Sequence, residues 1–130
     1  MKPKFVDTNI FVEIVSRRGS KSDRCLRLLE GETSLWTTDL VINELDWVLR
    51  SFYDLEKEKI VESMRHILNL RSLSVLHRSW LMEALEIYAT TNVDYTDCYD
   101  WVLAREEGIN EVYSFDRHFD KIPGIKRRGP

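Results

Sequence analysis

The sequence predicts an α/β domain in three layers, α/β/α, built on a mostly parallel sheet of four to five strands. Three observations lead there. Short apolar stretches alternate with helically periodic segments along the whole chain. The clearest helical segment places Val41, Leu45, Val48, Leu49 and Phe52 at i, i+4, i+7, i+8 and i+11. No repeat, linker or low-complexity segment interrupts the alternation, so the 130 residues read as one domain, 1–130.

Residues 4–6 (Lys-Phe-Val) form a first short strand. A helix over 8–16 follows, with Asp7 or Thr8 as a natural N-cap. Residues 17–21 make a basic loop, and a helix over 22–29 ends at Gly31. Residues 34–37 are a second strand, before the helix over 38–52 described above. Asp54 opens another helix, whose Ile60, Met64, Ile67 and Leu68 share a face. Residues 73–76 alternate as a third strand, and 79–89 follow as a helix. Tyr95 to Glu106 is a further helix, stopped by Gly108. Residues 111–115 are a fourth strand ending at Asp116, and 125–126 a short edge strand.

Composition narrows the function. Hydrophobic residues make up 43% and charged residues 32%, which excludes a disordered chain. No apolar run approaches the roughly 18 residues of a membrane span. The start MKPKFVDTN is too polar for a signal peptide, so a cytoplasmic protein is expected. Cys25 and Cys98 lie in no zinc-type spacing and read as buried free thiols. His66, His77 and His118 show no ligand spacing; surface or capping roles suit them. A net charge of −3 is not that of a typical nucleic-acid-binding domain, yet neutralising four carboxylates reverses its sign.

Four acids stand out. Asp7 follows the first strand, at the strand end where open parallel sheets place their ligands. A helix cap accounts for it equally well. Glu44 lies between Val41 at i−3 and Val48 at i+4, on or beside the buried stripe, where an ionised glutamate needs a partner. Asp97 sits in the first turn of its helix with Asp94 and Asp100 at i−3 and i+3, more acid than a helix dipole requires. Asp116 follows the fourth strand as Asp7 follows the first; a turn residue is its plain alternative. Gathered at one sheet edge, the four would repel each other unless a cation held them. Mg²⁺ and Mn²⁺ prefer oxygen ligands, and such ions serve phosphoryl chemistry.

The chain resembles the PIN-domain ribonucleases, and most closely the VapC toxins of type II toxin–antitoxin pairs. FVDTNIF (5–11), TTDLVINELDWVLRSFY (37–53), VDYTDCYDWVLA (93–104) and VYSFDRHF (112–119) carry the resemblance, in order and across almost the whole chain. It implies a strand order of 3-2-1-4-5, with strand 1 beside strand 4. It implies that Asp7, Glu44, Asp97 and Asp116 are the catalytic quartet, holding one or two Mg²⁺ or Mn²⁺ ions. Asp94, three residues before Asp97, is able to share that duty; Asp100 more simply faces solvent. Ser114 would support metal-bound water, and Thr8 and Asn9 would order the site. The implied activity is endoribonucleolytic hydrolysis of RNA. The implied partners are a cognate antitoxin protein and a second copy of the chain. Arg17, Arg18, Lys21, Lys126, Arg127 and Arg128 are candidates for phosphate contact, or else a solvated loop and a solubilising tail. Trp47 reads as core. In the absence of metal, losing Asp7 is expected to relieve repulsion among the other acids. A haloacid-dehalogenase-like phosphatase needs a second aspartate where Asn9 stands. A PIN-like RNA-binding or scaffold protein without activity is the non-enzyme alternative.

Overall fold

Six α-helices and five short strands alternate as expected among the residues that the structure, a computed structural model, describes, 2–130. The chain divides into two compact units, one ending at Arg78 and one beginning at Ser79.

In the first unit, β1 (Lys4–Phe5), β2 (Leu35–Thr37) and β3 (Leu73–Val75) form a parallel sheet in the order β1-β2-β3. Lys4 pairs with Leu35 and Leu35 with Leu73, so the register runs straight across the sheet. Helices α1 (Thr8–Ser16) and α2 (Ser20–Glu30) connect β1 to β2; α3 (Asp39–Ser51) and α4 (Lys57–Leu68) connect β2 to β3. Parallel neighbours require such crossovers. The core of this unit is mostly aliphatic: Leu29, Leu35, Ile42, Leu45, Leu49, Ile60, Met64 and Leu68 are buried, together with Phe11. Each fully buried large side chain contributes about 1.5–3 kcal/mol. The Thr37 hydroxyl, fully buried, donates to the Val6 carbonyl at 2.8 Å and ties β2 to the residue that precedes Asp7.

Helix α4 starts three residues later than Asp54. Asp54 has φ 53°, in the left-handed region, and so closes a turn instead of opening a helix. The Leu55 N–H donates back to the Leu49 carbonyl at 3.2 Å.

In the second unit, α5 (Arg78–Thr90) precedes α6 (Tyr95–Glu106), and β4 (Glu111–Tyr113) pairs in parallel with β5 (Lys126–Arg128). The Tyr95 hydroxyl donates to the Leu81 carbonyl at 2.9 Å, and its ring meets Tyr88 edge-on at 5.6 Å. Gly108, at φ 78°, ends α6 as expected. A 3-10 helix (Arg117–Lys121) stands where only a turn was anticipated.

Two features depart from the sequence reading. The expected continuous order 3-2-1-4-5 is realised as two parallel ladders, β3-β2-β1 and β4-β5. The expected edge strand at 125–126 is present but shifted to Lys126–Arg128, so it takes in the basic residues read as a tail. Arg128 pairs with Glu111 at 2.8 Å and Arg127 with Asp120 at 3.0 Å. Cys25 and Cys98 are buried free thiols, as read from their spacing. Among the described residues, no helix is long and apolar enough to cross a membrane.

Candidate active site

The first unit places Asp7 and Glu44 on one concavity. Asp7 leaves β1 in an extended conformation and becomes the N-cap of α1; its Oδ1 accepts the Thr8 N–H at 2.8 Å. The carboxylate is therefore exposed and aimed by backbone rather than by packing. Glu44 comes from α3. The two acids, with Thr8, Asn9 and Tyr53, line a cavity of about 320 Å³. A water occupies about 30 Å³ of liquid, so there is room for a hydrated ion with a phosphate oxygen. The Thr8 hydroxyl is buried and has no hydrogen-bond partner among the described residues.

Glu44 reaches this cavity for a different reason from the one its spacing suggested. It is exposed, not set in the buried stripe. The buried face of α3 is Val41, Ile42, Leu45, Asp46 and Leu49, which turns Leu40, Glu44 and Trp47 outward together. Trp47, expected in the core, is 50% exposed and stacks edge-on with Phe52 at 5.3 Å. The buried acid of α3 is Asp46, paired with Arg50 one turn on at 3.5 Å.

The second unit gathers acids more tightly. Asp97 is half-buried in the first turn of α6. Desolvation pushes its carboxyl above the usual range, and the like charges of Asp94, Asp100 and Asp116 push it further; His118 pulls the other way. Asp94 is the α6 N-cap residue, yet its side chain makes no capping hydrogen bond. Asp100 is exposed, as the solvent reading had it, but partial desolvation raises its carboxyl too. It borders a second cavity of about 310 Å³ with Trp101, Ser114 and Phe119. Asp116 caps the 3-10 helix: its Oδ1 accepts the His118 N–H at 2.9 Å and faces the His118 ring nitrogen at 3.1 Å. The Ser114 hydroxyl oxygen accepts the Asp116 N–H at 2.9 Å, so Ser114 holds the backbone of the acid that follows it.

Among the described residues, no three Asp, Glu, His or Cys side chains stand together as a complete cation cage. The donor chemistry nevertheless fits a hard divalent ion in each set. Asp7 and Glu44 offer exposed carboxylates on one cavity, and the cluster around Asp97 carries repulsion that a cation would relieve. Two groups were given no part in the site by the sequence. Tyr53 lies beyond the end of α3, where helical periodicity gives no signal. His118 lacks ligand spacing and meets Asp116 only because the 3-10 helix turns it back.

Comparison with known proteins agrees with the motifs. The PIN-domain sequence profile matches residues 4–125. A VapC ribonuclease of Aquifex aeolicus (strain VF5) is 32% identical over 132 residues, covering 98% of this chain and 96% of that protein. Among solved structures, the sarcin-ricin loop cleaving toxin VapC20 of Mycobacterium tuberculosis aligns over 94% of this chain and 96% of its own, with 17% identity and a TM-score of 0.43. The profile spans nearly the whole chain and includes all four acids, and the α/β class with parallel strands is that family's: the chain belongs to the PIN-domain family.

Proposed function

We propose that this chain is a Mg²⁺- or Mn²⁺-dependent endoribonuclease, acting as a single PIN domain and as the toxin of a toxin–antitoxin pair. One observation carries the reading: the near-full-length identity to a VapC ribonuclease. The carboxylates are its chemical complement. Asp7, Glu44, Asp97 and Asp116 would hold the ion, with Asp94 close enough to Asp97 in sequence and charge to share the task. When bound, the ion orients a phosphate, lowers the pKa of water and offsets charge in the in-line transition state. The protein's own contribution is positional. Asp7 is fixed by the Thr8 N–H, and Asp116 by its own helix cap and by Ser114. Asp97, whose carboxyl is pushed up by desolvation and by its acidic neighbours, would hold a proton most readily without a cation and would release it to solvent when one binds. Water adds at phosphorus and the bond to the 3′ oxygen breaks, leaving 5′-phosphate and 3′-hydroxyl ends. An antitoxin protein would silence the enzyme, and a homodimer is the proposed working form.

The test is cleavage of RNA by wild type and Asp7→Asn, with Mg²⁺ or with EDTA. Wild type with Mg²⁺ should cut; the variant should be slower by about two orders of magnitude or more, the loss of a several-kcal/mol electrostatic contribution. Equal cutting by both proteins, or no cutting of any RNA by wild type, sinks the proposal. Wild type that binds RNA but no metal would instead support the silent RNA-binding alternative.

A further inference from the structure

To hold RNA, the Asp7–Glu44 cavity needs donors as well as acids. Its carboxylates only accept hydrogen bonds, whereas an RNA phosphate needs donors. Among the lining residues named above, Thr8, Asn9 and Tyr53 carry donors, and Tyr53 is the one whose hydroxyl is tied to a cation. That hydroxyl oxygen already accepts from Arg17 Nη2 at 3.0 Å and Nε at 3.3 Å. Its own O–H finds no acceptor among the described residues and is left to donate. Glu13, one turn back, places a carboxylate oxygen 3.7 Å from the same Nε. Glu13 is itself buried and receives the Ser22 hydroxyl at 3.2 Å. The Nη1 amino group of Arg17 makes none of these contacts, and the side chain is 55% exposed. The result is an ordered guanidinium and a polarised phenol beside two acids. Ordering before binding reduces the entropic cost of capture, and the planar fork of arginine matches a phosphate.

We propose that Tyr53 and Arg17 bind the RNA directly and clamp a phosphate of the strand beside the Asp7–Glu44 cavity; this rests on the ribonuclease reading above. Tyr53 donates to one non-bridging oxygen, and Arg17 supplies the charge and the free Nη1 donors. The plain alternative is a tether that pins the loop after α1 to the end of α3. A tether contributes to stability and carries no phosphate.

Binding of a short fluorescein-labelled single-stranded RNA, followed by anisotropy with Ca²⁺ in place of Mg²⁺ across a salt series, separates the two. Arg17→Gln and Tyr53→Phe should each weaken binding by about tenfold, the value of a charge-assisted hydrogen bond. Arg17→Gln should also flatten the slope of log affinity against log salt by about 0.7, one phosphate contact on a single strand. Arg17→Lys should restore the slope but not the affinity. Mn²⁺ affinity by calorimetry should stay at the wild-type value in all three. Wild-type RNA affinity and salt slope in Arg17→Gln, with a lowered Tm, would make the pair a tether and overturn the clamp. Wild type that neither binds nor cuts RNA would overturn the ribonuclease reading itself, and the clamp with it.

Discussion

The two acidic regions of this protein hold their carboxylates by opposite means. Around Asp7 and Glu44 the acids are exposed, one held by a helix N-terminus and one carried outward on the solvent face of α3. Around Asp97 they are crowded, with a half-buried carboxyl among three like charges. The second region carries a repulsion that a cation would relieve. There the repulsion falls on Asp97.

The sharpest way to break this comparison is metal binding itself. Mn²⁺ binding should weaken for both Asp7→Asn and Asp97→Asn, by about 10–100-fold each. Wild type and Asp7→Asn should release more protons on binding than Asp97→Asn as the pH is lowered, because the Asp97 carboxyl is pushed up by desolvation and by three like charges, whereas Asp100 is raised by desolvation alone. Calorimetry in two buffers of different ionisation enthalpy reads that release. Equal release from the Asp97→Asn protein would place the protonated acid elsewhere.

Stability without metal comes next. In EDTA, Asp7→Ala removes the α1 cap and should cost about 1 kcal/mol. Asp97→Asn should raise the Tm at neutral pH, because it removes an ionised group that the fold disfavours. The sign follows from linkage: a carboxyl whose folded pKa lies above its ordinary 3.8 contributes stability below that value and loses it as pH rises through the folded pKa. The gain from Asp97→Asn should therefore vanish at the acid end of a pH series of thermal melts. A gain that persists there would assign the effect to packing.

The smallest effect lies in the same unit and has the opposite sign. Glu83 is bound by both terminal nitrogens of Arg105, whose hydrogen bonds hold its carboxyl below the usual range. Its contribution is present above the ordinary glutamate range and is lost as pH falls through the lowered folded pKa. The pair is exposed, so Glu83→Gln should cost less than about 1 kcal/mol in the same melts, and less still at high salt.

Much of this molecule is local and could be read from the chain. Helices α1 and α6 run over the residues that periodicity and capping assign, because Asp7 and Gly108 supply local backbone signals. Asp7 and Asp116 could be placed after strands because strand ends are marked by where apolar residues stop. The boundary at Asp54 was not legible, since a left-handed φ in aspartate leaves no pattern.

What the sequence by itself determined is the order of strands and helices, the parallel α/β class and the residue types available for a cation and a phosphodiester. Those depend on short-range periodicity, on caps and on side-chain chemistry. Tertiary structure decided which face of α3 is buried, and so that Glu44 and Trp47 look outward while Asp46 is sealed in. It also decided that Arg17 meets Tyr53 across 36 positions and that the basic tail is spent on ion pairs in β5. The physical reason is common to all three. A helical stripe defines a face only to within the width of its neighbours, and a charged side chain chooses its partner by distance in space, which sequence spacing does not encode.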